Sequence, residues 1–198
     1  MGAAIGAWAR IEEELSLVFV HAIGAPFDAP ARAVFYSVRS FEARLGMTQA
    51  AVNAMWPVLP QPGLGKEWNA LYNRLRDKNK SRNEIAHSGL ISYSEDGAPS
   101  EVYADPYLNL TSRRNFPAKE QLRTRNQIDA IRGGFDLAAI RLSTFETELA
   151  LHLGRQPTSL LRVNHPDPEV RNPAIQSFQE FAKRRPPFPP TPDILLPD

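Results

Sequence analysis

The apolar residues of this 198-residue chain recur at steps of three and four along four separate segments. That is the spacing of a helix with one buried face. In the first segment Ile5, Trp8, Ile11, Leu15, Val18 and Ala22 form one stripe, with Glu12, Glu13 and Glu14 mostly outside it and Gly24 and Pro26 closing it. The second opens near Asp28 with Pro30 in its first turn, as a helix start permits. It carries Val34, Val38, Phe41 and Leu45, then Val52 and Met55 beyond a kink at Gly46-Met47-Thr48. Residues 57–65 hold three prolines and two glycines and read as a loop. The third segment runs from about Lys66 to Ser88 on Trp68, Leu71, Leu75 and Ile85, with Gly89 as its cap. The fourth carries Ile128, Ile131, Phe135, Ala138, Leu142, Phe145 and Leu149. Gly133 and Gly134 interrupt it, each costing about 1 kcal/mol relative to alanine.

Four such faces pack most economically as an all-α four-helix bundle, which is expected over residues 1–154. Two additions are expected. Residues 90–105 alternate around Glu95-Asp96-Gly97 and read as a short β-hairpin. Residues 155–198 hold ten of the 18 prolines and read as a proline-rich C-terminal extension, with one short helix at Asn172–Arg185 and polyproline geometry after it.

Composition removes several classes. No apolar run approaches the ~20 residues of a membrane helix, and acidic residues 12–14 stand where a secretory signal would need an apolar stretch. There is no cysteine, so disulfides and thiolate metal sites are excluded. A cytoplasmic protein with no membrane partner is expected. Net charge is only +1, but it is unevenly spread: residues 66–90 carry six basic and three acidic groups, residues 91–112 four acidic and none basic, and residues 113–132 six basic and two acidic. Basic segments flanking an acidic one permit a local phosphate-binding surface without requiring it.

The third segment breaks its own pattern. Lys78 and Arg82 occupy stripe positions where apolar residues are expected. A charge facing a core without a partner costs several kcal/mol, so this part of the stripe meets water, another surface or a compensating group. His87 follows five residues after Arg82, a rise of about 7.5 Å and a turn of about 140° on a helix. Two long side chains so placed can reach one phosphate-sized object. Arginine offers a planar donor fork for phosphate, and histidine can take and give a proton near neutral pH.

The stretch Arg82-Asn83-Glu84-Ile85-Ala86-His87 resembles the R-x(4–6)-H motif of HEPN domains, in which a polar residue, often asparagine, follows the arginine. The resemblance implies a helical bundle that homodimerises with two copies of the motif at the interface. It implies a metal-independent endoribonuclease, with no cofactor, of the kind found in toxin–antitoxin and other defence systems. Arg82, His87 and Asn83 become the catalytic candidates, with Lys78 and Arg74 as RNA-binding cations. RNA and an antitoxin or other partner protein are the implied partners. Position 89 is glycine where one toxin subgroup has tyrosine. A non-catalytic nucleotide-binding or adaptor module, dimerising through the same motif, is the alternative.

Overall fold

Every residue from Glu14 to His21 is buried, so the first helix is wrapped on all sides over its second half rather than presenting a single stripe. The computed structural model describes residues 1–57, 62–93, 101–105 and 123–157. Its elements are α1 (Gly2–Ala22), α2 (Asp28–Ser37), α3 (Phe41–Met55), α4 (Pro62–Ala86), β1 (Gly89–Tyr93), β2 (Glu101–Asp105) and α5 (Arg125–His152). The described residues are mostly helical, and the helices share one apolar core.

Side-chain pairings give the helix directions. Trp8 meets Phe135 with ring centroids 5.1 Å apart, Arg10 pairs with Asp136, and His21 Nε2 lies 2.8 Å from Glu146 Oε1, so α1 and α5 run parallel. Trp8 also meets Phe41 at 4.5 Å, and Glu12 meets Arg44 at 3.1 Å, so α3 runs the same way. α4 runs against α3 and α5: Trp68 Nε1 donates to Gln49 Oε1 at 2.7 Å while Gly65 faces the Trp56 ring, and Trp68 lies 5.3 Å from Phe145 while the Lys78 ammonium lies 5.9 Å from Phe135. The short α2 carries the chain back so that α3 starts beside the first half of α1.

Trp8 is the hub of this packing, edge-on to both Phe41 and Phe135; such aromatic pairs add about 0.5–1.5 kcal/mol each beyond area burial. Helix ends are built by ordinary capping chemistry. Ser40 Oγ accepts from the Ala43 N–H at 3.1 Å and starts α3. Thr124 and Gln127 form a reciprocal capping box that starts α5. α1 and α5 end alike. Gly24 (φ +68°) and Gly154 (φ +66°) take the left-handed conformation that glycine adopts at least cost. The N–H groups of Gly24 and Ala25 bond to His21 and Val20 carbonyls, as those of Gly154 and Arg155 do to Leu151 and Ala150. Arg155 Nη1 then donates to the Ala25 carbonyl at 3.0 Å, tying the two ends together.

The structure corrects three expectations. The second expected helix is two helices, broken at Val38–Ser40 rather than kinked at Gly46, which lies inside α3. Val38 is extended (ψ 118°), and Ser40 caps the new start. The break resets the helical phase, so α2 buries Ala31 and Phe35, while Val34 is 56% exposed. α4 begins at Pro62, inside the expected loop; proline's fixed φ and missing N–H suit a first helical turn, and Leu64 anchors that turn in the core. Glu14, expected mostly outside the first stripe, is buried.

The two strands of the expected hairpin are present, β1 and β2 pairing antiparallel from Gly89↔Asp105 to Tyr93↔Glu101, while its expected turn at Glu95-Asp96-Gly97 lies outside the described residues. Residues 158–198 lie outside the described residues, and with them nearly all of the expected extension, including its short helix at 172–185.

Candidate functional site

Three elements meet where α4 ends. Ala104 on β2 exchanges both backbone hydrogen bonds with Arg123, at 3.0 and 2.8 Å, holding the residues before α5 against the hairpin. The Arg123 side chain reaches across to α4 and donates to Glu84 Oε2 at 2.8 Å. Ser88 Oγ donates to the Glu84 carbonyl, closing the turn into β1. The Arg82–His87 stretch therefore sits at a corner fixed by α4, the hairpin and the start of α5.

Arg82 is half-buried in the last turns of α4. Glu84, the carboxylate nearest in sequence, is occupied by Arg123. Arg82 Nη1 donates to Asn83 Oδ1 at 3.0 Å, and among the described residues its buried Nε has no hydrogen-bond partner. Among the described residues Arg82 has no ion pair. Asn83 thus braces the guanidinium.

His87 lies one residue beyond the helix, not within it as the periodicity suggested. The helix stops at Ala86 because the chain turns immediately into β1. The backbone N–H of His87 still bonds to the Asn83 carbonyl at 3.1 Å, and its side chain is exposed. No hydrogen bond joins Arg82 to His87 among the described residues.

One turn earlier, Lys78 does not reach into the core. Its ammonium rests at Gly134 of α5, 5.9 Å from the Phe135 ring centroid. Burial, and then the Arg74 guanidinium, hold Lys78 below the usual lysine range. Arg74, Asp77, Lys78, Gly134 and Leu137 line an open groove of about 510 Å³. A second groove, about 430 Å³, lies between the hairpin and the first turn of α5, lined by Val102, Tyr103, Thr124, Arg125 and Asn126.

The structure therefore brings Arg82 to Asn83, and Lys78 to Arg74, on one helix. It adds two residues that sequence reasoning did not single out as site residues. Arg123 pairs with Glu84 and ties the start of α5 to the end of α4, and Gly134 makes room for Lys78. The glycine pair was visible only as a weak point in a helix; its relation to Lys78 needs the α4–α5 alignment. Among the described residues no three histidine or carboxylate side chains gather as metal ligands would, and no helix is long and apolar enough to cross a membrane. Compared with family models, curated proteins and solved structures, the chain matches none of them.

Proposed function

We propose that this chain is a metal-independent endoribonuclease of the HEPN type, acting in the cytoplasm as a homodimer in a toxin or defence role, with an antitoxin or other protein as regulator. One observation carries the reading: Arg82, braced by Asn83 and without an ion pair among the described residues, lies five residues from an exposed histidine. A guanidinium without an ion pair among the described residues suits the equatorial oxygens of a phosphodiester. Leu90 and Val102, exposed on the same face of the hairpin beside this corner, support a subunit contact there.

In the reaction His87 accepts the proton of a ribose 2′-hydroxyl. The oxygen attacks the adjacent phosphorus, and the bond from phosphorus to the 5′ oxygen breaks. The same histidine of a second copy protonates that leaving oxygen, giving a 2′,3′-cyclic phosphate and a 5′-hydroxyl. Arg82 stabilises the charge on the phosphoryl oxygens, and Asn83 holds Arg82. Arg74 and Lys78 attract the strand's backbone.

The test is cleavage of unstructured RNA by the purified full chain in EDTA. Cleavage is expected to persist there and to fall by about 10²–10⁴ in His87→Ala and by about 10²–10³ in Arg82→Ala. A His87→Ala protein that cuts as well as its parent would refute the mechanism. Nucleotide binding with no cleavage in the parent would favour the adaptor reading.

A further inference from the structure

Gly133 and Gly134 stand side by side within α5, where each weakens the helix relative to alanine. They are not equivalent. A Cβ at Gly133 would meet nothing within 4 Å. A Cβ at Gly134 would lie 2.6 Å from Lys78 Nζ and 3.7 Å from its Cε. The glycine is a notch, and the lysine's ammonium fills it. Lysine has a long, flexible stem and would ordinarily turn its charge to bulk water. Here it lies across α5, next to Arg74 one turn earlier on its own helix. Two cations four residues apart on a helix repel. Among the described residues neither has an ion pair, and Asp77 is the single acid lining the groove they share. Among the described residues the groove thus holds two cations and one acid.

We infer that the groove between α4 and α5 is a phosphate seat in which Arg74 and Lys78 hold one phosphate group between them, and that Gly134 is the positioning residue that leaves room for the ammonium. The inference rests on the ribonuclease reading for the source of that phosphate, the backbone of an RNA strand. Arg74, Lys78 and Arg82 follow one another at four-residue steps, each a rise of about 6 Å, so a strand seated at the first two is led toward the third. Free phosphate has the same chemistry and is the other source.

The experiment uses the full chain and a 2′-O-methyl oligoribonucleotide, which lacks the attacking hydroxyl and so reports binding without cleavage. Affinity is measured by fluorescence anisotropy across a salt series, and inorganic phosphate is titrated separately by calorimetry. Lys78→Gln is expected to weaken oligonucleotide binding on the order of tenfold and to flatten the slope of log affinity against log salt by about 0.7. Gly134→Ala is expected to reproduce both changes while raising the melting temperature, because the added methyl displaces only the end of a flexible side chain. Gly133→Ala is expected to raise the melting temperature and leave binding as it was. A Gly134→Ala protein with parental affinity and slope would overturn the assignment, as would a Lys78→Gln protein with both intact. If inorganic phosphate binds with the same sensitivities and the oligonucleotide does not, the seat stands and RNA as its source falls. If neither binds, the inference is wrong. His87→Ala is expected to bind like the parent, so a chain that binds as described but never cuts would sink the catalytic reading alone.

Discussion

Arg44 and Lys78 are both cations carried on the inward side of a helix, and the protein treats them oppositely. Arg44, on α3, is 8% exposed, meets Glu12 at 3.1 Å and lies over the rings of Phe35 and Tyr36, at 5.5 and 5.6 Å. Glu12 in turn accepts from Trp8 Nε1 at 2.9 Å, so charge, donor and ring faces close on one another between α1, α2 and α3. Lys78 has a single ring at 5.9 Å, a like charge beside it, and no ion pair among the described residues. Arg82, one turn on, is braced by an amide rather than a carboxylate. The first arrangement is what holding helices together requires, since a buried charge stripped of its partner is strongly destabilising. The second gives the fold little, and local rules tend to be broken where function imposes another demand.

Substitutions should separate the two sides. Arg44→Met leaves Glu12 without its cation and removes both ring contacts, and is expected to cost about 3 kcal/mol of unfolding free energy in urea. A loss below 1 kcal/mol would break the contrast. Lys78→Met is expected to stay within about 0.5 kcal/mol of the parent near neutral pH or to exceed it. The sign of its pH dependence follows from Lys78 lying below its ordinary value of 10.5. Between the lowered folded value and 10.5 the unfolded chain binds more protons than the folded one, so the parent should gain stability relative to Lys78→Met as pH rises through that window. A parent that loses ground there would show that the ammonium is well accommodated. The smallest effect belongs to Arg123→Ala. Its bond to Glu84 joins side chains that are 40% and 38% exposed, so about 0.5 kcal/mol is expected, vanishing in high salt.

Much of the fold is legible in the residues themselves where a period repeats over several turns. Trp8, Ile11, Leu15 and Val18 in α1, and Phe135, Ala138, Leu142, Phe145 and Leu149 in α5, are buried as their spacing predicts. The break at Val38–Ser40 escapes that reading because the phase of Phe41 and Leu45 extends backwards through Val38 and Val34 without a visible flaw. Only the cap signal, Ser40 followed by Glu42 in the first turn, marks it. The site divides in the same way. Arg82, Asn83 and His87 are legible as a spacing on one strip of backbone. The roles of Arg123 and Gly134 are not, because each depends on which residue of α4 lies opposite which residue of α5. That alignment is set by distant contacts such as Trp68 with Phe145.

The pairing of α1 with α5 also bears on how the protein is made. His21 and Glu146 are 125 residues apart, and at about 5–20 residues per second a ribosome needs roughly 6–25 s to add that length. For that interval Ile11, Leu15 and Val18 stand without the helix that completes their burial, and a chain stalled or cut before α5 would expose them to aggregation or proteolysis. Assembly of the interior is therefore tied to the synthesis of α5, and a bound chaperone is expected to let go only once that helix has emerged.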